Sequence, residues 1–332
     1  MQREKHWQSR EKYIYQIVYM SQFWFEESGL AHMLLRASNN GCQIGYNDGM
    51  DIRVAPQQLR RYKRAYRVLE RLNPATSPWA LVAPRSAPPR GNILVFPGSF
   101  NPPTVAHLAL LRQARKFANR QGGHWQLYAA LSKQIVDKEA VERLTLLDRV
   151  VLLDGILHQQ VKHAGILLLN RGLYVEQAEG IRAAFPQVRR LSFLLGFDKI
   201  VQILDPRYYT DRDAALRELL HEAHLLVAPR GAEGQAELHE LLARPENRPF
   251  AHAIHPLPLA GAYREISSTQ ARQNTRSGLR VLPEEARDFI TRTRPYAQPQ
   301  ARSDGTEIDF YAERTRALQQ CFSEWCGEKS TG

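Results

Sequence analysis

From Gly91 onward, short uniformly apolar runs alternate with stretches whose apolar positions recur at helical spacing. Ile93-Leu94-Val95-Phe96, Leu127 to Leu131, Ile166 to Leu169, Leu191 to Leu195 and Leu225 to Ala228 lack internal polar alternation. Such runs predict strands covered on both faces. Between them, Leu110, Leu111, Ala114, Phe117 and Ala118 mark one face of a helix that stops at Gly122-Gly123. Further helices are expected around 141–158, 175–184 and 212–222. Strands alternating with helices predict an α/β fold with a doubly wound, mostly parallel sheet and flanking helices. Sheets of this kind bind ligands where their strands end, so the strand–helix junctions are the places to seek chemistry.

Upstream the pattern is different. Residues 1–50 mix aromatic and charged residues without a sustained period and suggest no role. Gln57 to Leu72 reads as a basic helix, with Leu59, Tyr62, Tyr66, Leu69 and Leu72 at helical spacing. Asn73-Pro74 and the run Ala83 to Arg90 read as a stiff linker. The expected division is an N-terminal extension (1–50), a basic helix with a proline-rich linker (51–90), the domain holding the chemistry (91–297) and a partly helical tail (298–332).

Composition narrows the class. In 332 residues, 43% are hydrophobic and 24% charged, ordinary values for a chain with a full core. No run of about 18 apolar residues occurs, which predicts no membrane span, and the charged N-terminus does not read as a secretory signal. Cys42, Cys321 and Cys326 are too few and scattered for a disulfide framework, which favours a reducing, cytoplasmic setting. Four residues separate Cys321 from Cys326, with no second pair to complete a zinc site. The net charge is +11, but nine Lys/Arg against one acid lie between Arg53 and Arg90. A nucleic-acid contact is therefore an expectation for residues 53–90 alone, set against a solvated helix face packed on the body of the protein.

The richest junction is Gly98-Ser99-Phe100-Asn101-Pro102-Pro103-Thr104-Val105-Ala106-His107. A strand enters a turn-forming loop, and a helix starts near Thr104. Backbone N–H groups there can hold phosphate oxygens, aided by the helix dipole. Thr104 and His107 are three apart, so a hydroxyl and an imidazole share one face of the first turn. Downstream, Ile266-Ser267-Ser268-Thr269-Gln270-Ala271-Arg272 places three hydroxyls at a helix start and a guanidinium one turn on, a set suited to spread phosphate charge. Either stretch alone also reads as an ordinary capped helix start.

Together, and in this order, the two stretches resemble the nucleotidylyltransferase superfamily. They look most like its nicotinamide/nicotinate mononucleotide adenylyltransferase family, whose loop reads G-S-F-N-P followed by T-x-x-H and whose late motif is I-S-S-T-x-x-R. The resemblance runs from about Asn92 to Tyr296 and implies a Rossmann-like sheet. By the same resemblance, Gly98, Ser99, Phe100, Asn101, His107, Gly196, Asp198, Ile266, Ser267, Ser268, Thr269 and Arg272 would bind ATP. Ser99, Phe100, Lys138 (with Lys133 in reserve) and Tyr174 would bind the mononucleotide, Tyr174 either stacking on the pyridine or lying buried. Val227 to Gly231 resembles a family strand that ends in a turn. His107, Thr104 and Arg272 are the expected catalytic residues.

The implied reaction joins AMP from ATP to nicotinamide or nicotinate mononucleotide, with pyrophosphate leaving. Its nucleophile is already anionic, which fits a site of donors and cations rather than paired carboxylates. Mg2+ is expected to arrive on the ATP phosphates, with no dedicated protein metal site. Thr104 replaces the first histidine found in other branches. The alternatives are adenylyl or cytidylyl transfer to another phosphorylated small molecule, or an RNA-associated regulatory protein that kept the fold. Oligomerisation is compatible with the sequence.

Overall fold

The computed structural model describes residues 33–38, 41–46, 51–134, 143–228, 235–263, 266–273, 276–301 and 305–327. Three antiparallel strands come first: β1 (Met33–Ser38), β2 (Gly41–Tyr46) and β3 (Asp51–Val54). Helix α1 (Pro56–Glu70) follows, with proline in its first turn, where its missing N–H costs nothing. It leads through β4 (Ala80–Val82) to β5 (Gly91–Pro97).

Beyond β5 the expected alternation is present: α2 (Val105–Arg120), β6 (Trp125–Ser132), α3 (Leu146–Gln160), β7 (Ala164–Leu169), α4 (Tyr174–Ala184), β8 (Val188–Gly196), α5 (Phe197–Leu204), α6 (Arg212–Glu222) and β9 (His224–Ala228). Helix α7 (Gln235–Ala243) and β10 (Ile254–Pro256) extend the sheet's edge. Four helices close the described chain: α8 (Ser268–Arg272), α9 (Arg276–Arg280), α10 (Glu284–Thr293) and α11 (Phe310–Gly327).

The central sheet has seven strands in the order β10-β9-β8-β5-β6-β7-β4. All neighbours are parallel except β4, which pairs antiparallel with β7. Ile93 to Phe96 are all buried, and the two faces of the sheet carry separate apolar clusters. Helices α1, α2, α3, α10 and α11 contribute to one cluster, and α4 to α7 to the other. This is a Rossmann-like, doubly wound sheet. Strand order reverses between β5 and β8, and the crevice at such a switch point is where these sheets take ligands.

Two segments differ from expectation. Between the two stretches read as linker, Ala80–Val82 forms β4 at the sheet edge, and its approach is pinned by Asn170 (1% exposed). The Asn170 Oδ1 accepts from the Trp79 N–H at 2.7 Å, and its Nδ2 donates to the carbonyls of Asn73 and Ser77, each at 2.9 Å. Its backbone N–H donates to the Trp79 carbonyl. Prolines suggested a linker, but the side chain that orders the segment lies ninety residues away.

The C-terminal segment is likewise part of the core. Tyr311, Ala317, Leu318, Cys321 and Phe322 of α11 are buried, and Phe322 stacks on Tyr66 of α1 with ring centroids 5.0 Å apart. Beneath them lies a buried ion pair between Asp148 of α3 and Arg314 of α11, at 3.0 Å. Tyr62 and Tyr311 each donate a 2.6 Å hydrogen bond to the same carboxylate. Burial by itself raises the Asp148 pKa. The Arg314 charge and the hydrogen bonds from Arg314, Tyr311 and Tyr62 outweigh it and hold the carboxyl below its usual range.

Candidate active site

The Gly98–His107 loop follows β5 and Gly196–Asp198 follows β8, so both stand at the switch point. Within the loop Phe100 adopts a left-handed backbone (φ 46°) while its ring is fully buried. A bulky residue there stores strain on the order of 1–3 kcal/mol, held by surrounding packing. Gly98 makes that packing feasible: a Cβ on it would lie 3.1 Å from the Phe100 ring. This narrows how Phe100 can meet a nucleotide without removing it from the site. Its ring is a core anchor, and its backbone alone can meet ligand.

The peptide groups of the loop are sorted by polarity. The Ser99 carbonyl accepts from Arg149 Nη1 at 2.8 Å, that of Asn101 from Arg272 Nη1 at 3.1 Å, and that of Pro102 from Ser268 Oγ at 2.9 Å. The Asn101 side-chain oxygen accepts from the Tyr296 hydroxyl at 2.8 Å. Three carbonyls are thus drawn to residues of α3 and α8, while the N–H groups of Ser99 and Phe100 find no acceptor among the described residues. The arrangement leaves donors, not acceptors, for an incoming anion.

Thr104 is the N-cap of α2 in extended conformation and is fully buried. Its backbone N–H donates to His107 Nδ1 at 3.0 Å, and its hydroxyl lies 2.8 Å from the same nitrogen. A backbone N–H cannot reorient, so Nδ1 is an acceptor and the ring proton sits on Nε2. The imidazole also packs against Phe100 and Phe96, with centroids 5.0 and 5.9 Å away. Desolvation in this setting lowers its pKa to about 4. At neutral pH His107 is an uncharged Nε2–H donor.

The late motif folds against the loop rather than standing apart. Ser267 caps α8 by accepting from the Gln270 N–H at 3.2 Å, and Ile266 precedes it half-buried. Arg272 also donates to Thr269 Oγ1 at 2.9 Å, fixing its fork beside an exposed hydroxyl. Helix α8 has five residues, so it supplies positioned side chains rather than a long dipole.

Across the crevice, Gly196 ends β8 with open space where a Cβ would stand, and Asp198 is exposed in the first turn of α5. Tyr174 opens α4, half-buried and edge-on to Phe193 at 5.4 Å. Lys133 departs from its reserve role: its Nζ donates to the carbonyls of Leu69 and Leu72 at 3.0 and 2.8 Å, closing the end of α1. Lys138 and the turn at Pro229-Arg230-Gly231 lie outside the described residues.

Arg149 is the residue sequence reasoning passed over. It is 4% exposed, its Nε has no hydrogen-bond partner among the described residues, and burial lowers its pKa to about 10. It remains a cation at neutral pH, directly behind the loop. Its signal was an Asp-Arg pair set among the apolar residues from Leu146 to Leu153, since buried charges require a structural or chemical reason.

Among the described residues no group of three or more His, Cys, Asp or Glu is placed to hold a metal ion, and no helix is long and apolar enough to cross a membrane. A curated protein of Schizosaccharomyces pombe, named "Putative nicotinamide mononucleotide adenylyltransferase", is 26% identical over 228 residues, covering 61% of this chain and 86% of that protein. Among solved structures, Thermotoga maritima TmcAL bound with alpha-thio ATP is 15% identical over 70% of each chain, with a TM-score of 0.33. NadR in complex with NR is 14% identical over 74% of this chain and 88% of that one, with a TM-score of 0.26. Both structural likenesses are too loose to carry chemistry. The cytidylyltransferase-like family matches residues 95–274, more than half of the length and both motif regions, and the chain belongs to that family, as a nucleotidyltransferase.

Proposed function

We propose that this nucleotidyltransferase joins AMP from ATP to nicotinamide or nicotinate mononucleotide. The observation that carries the reading is the loop whose carbonyls are held inward by Arg149, Arg272 and Ser268, beside a neutral His107 donor. A phosphate oxygen of the mononucleotide forms a bond to the α-phosphorus of ATP, and the bond from that phosphorus to the pyrophosphate oxygen breaks. The nucleophile carries its own negative charge, so no proton has to be removed. The chain's task is to align two anions and to stabilise the charge of the transition state.

In this reading His107 donates through Nε2 to the transferring phosphate. The N–H groups of Ser99 and Phe100, with Thr269 and Arg272, hold the triphosphate. Thr104 acts on His107 rather than on substrate, because its N–H and hydroxyl both meet Nδ1. Gly196 leaves room at the end of β8, and Asp198 faces the nucleoside end of ATP. Tyr174 and Lys138 are the candidates for the mononucleotide. Mg2+ entering on the ATP phosphates would neutralise charge on the leaving pyrophosphate; the hydroxyls and guanidiniums around the loop are suited to phosphate oxygens rather than to the ion.

The test is to supply ATP or CTP with nicotinamide mononucleotide, nicotinate mononucleotide or neither, and to measure pyrophosphate and dinucleotide together. Equal yields of both products with ATP and one mononucleotide are expected. Pyrophosphate release without dinucleotide from either acceptor would sink the assignment and leave transfer to another phosphorylated acceptor.

A further inference from the structure

Residues 53–90 are expected to present either a solvated helix face or a nucleic-acid contact, and the geometry of α1 separates these. Leu59, Tyr62, Ala65 and Leu69 turn one face of α1 into the core. Arg60, Arg64, Arg67 and Arg71 recur at spacings of four, three and four, fall on the opposite face and are all exposed. From first to last they span about 16 Å of helix. Among the described residues, no carboxylate pairs with Arg60, Arg64 or Arg71. The neighbouring cations are different: Arg61 and Arg85 share Asp154 at 3.4 and 2.6 Å. Four guanidiniums in a row repel one another, so the row is an expense to the fold rather than a support.

At the end of that row stands Trp79, 44% exposed, whereas the large apolar side chains among the described residues are mostly buried. Its side chain is offered to solvent while its backbone is fixed. Asn170 bonds both its N–H and its carbonyl. Gly180 admits the Pro78-Trp79 backbone closely: a Cβ on Gly180 would lie 2.8 Å from the Trp79 nitrogen. Arg71 and Trp79, with Val68, Leu81 and Phe185, line a concavity of about 260 Å³ along the β4 edge. This edge is three strands from β5, about 14 Å at the usual strand spacing, so it is distinct from the crevice described above.

We infer that this surface binds single-stranded RNA, with phosphates along Arg60, Arg64, Arg67 and Arg71 and an unpaired base stacked on Trp79. A row of cations that ends in a pinned, exposed indole matches the two needs of a single strand, backbone neutralisation and a stacking platform. Arginine serves both, through its fork and through its flat face. A duplex would satisfy the row but has no free base for the recess. A flat lipid surface would meet the helix ridge and miss the recess beside it.

Binding of the full-length protein to a fluorescent oligouridylate, followed by anisotropy at several salt concentrations, tests this. The expected affinity falls steeply with salt, and a variant carrying Arg60→Gln, Arg64→Gln and Arg71→Gln loses about 2 from the salt slope. Trp79→Ala weakens binding by roughly ten-fold at an unchanged slope, and Trp79→Phe, which keeps a ring, restores most of it. Duplex RNA of the same length is bound more weakly and ignores Trp79. All four side chains changed are exposed and outside the crevice, so the variants keep wild-type circular dichroism and nucleotidyl transfer. An unchanged affinity in the triple variant overturns the proposal, as does indifference of the single strand to Trp79→Ala. Tighter binding to phosphatidylserine vesicles than to the oligonucleotide overturns it in favour of a membrane.

Discussion

His107 keeps its proton on Nε2 because a backbone N–H occupies the other nitrogen, and its aromatic surroundings hold its pKa near 4. Replacing it with alanine should lower turnover by roughly 10²-fold, the scale of losing one transition-state donor, with nucleotide binding largely kept. Near-wild-type turnover in His107→Ala, measured under saturating substrates, would remove it from the mechanism. The same environment predicts a pH profile of kcat without an inflection from this residue between pH 6 and 7, checked by following its ring signals in NMR. Stability has the matching sign. The unfolded chain binds the His107 proton near pH 6.5 and the folded one near pH 4. Its contribution, about 3 kcal/mol, is therefore present above pH 6.5 and lost as pH falls toward 4. Arg149→Lys should reduce kcat/KM by about ten-fold, since lysine keeps the charge but lacks the guanidinium fork that reaches the Ser99 carbonyl.

Between elements, the joint to examine is the one at Asp148, where α1, α3 and α11 meet through Tyr62, Tyr311 and Arg314. Asp148→Asn leaves a buried guanidinium without its counter-charge and should cost about 3–5 kcal/mol, measured by denaturant unfolding. Adding Arg314→Met should recover much of that loss, which separates an uncompensated charge from simple loss of packing. With the Asp148 pKa held below its usual range, the stability it contributes exists above the unfolded pKa of about 4 and disappears as pH falls through the lower folded value. This joint also shows what periodicity can and cannot reveal. Strands β5 to β9 and the helices between them were legible because each carries its own apolar pattern, and Thr104 and His107 because both lie in one turn. Strand β4 was not, since three residues after a proline have no period and their order comes from Asn170. The clasp on Asp148 joins positions 62, 148, 311 and 314, and no local spacing encodes such a meeting.

For the molecule as a whole, the fold begins well before the alternating pattern does. A chain starting at residue 91 would lack the buried Leu59, Tyr62, Leu69 and Leu72 and one sheet edge. At about 1.5–3 kcal/mol for each large buried side chain, the loss approaches the total stability of an ordinary protein. Such a truncation should be unfolded by circular dichroism and rapidly proteolysed; a folded, active product would show that α1 is an accessory. The inward-held carbonyls of the Gly98–His107 loop carry a related consequence. Each is drawn by a residue far along the chain, Arg149, Ser268 or Arg272. The loop's appetite for anions is thus a property of the closed circuit between α3, α8 and β5, and the ten residues excised as a peptide would be indifferent to phosphate.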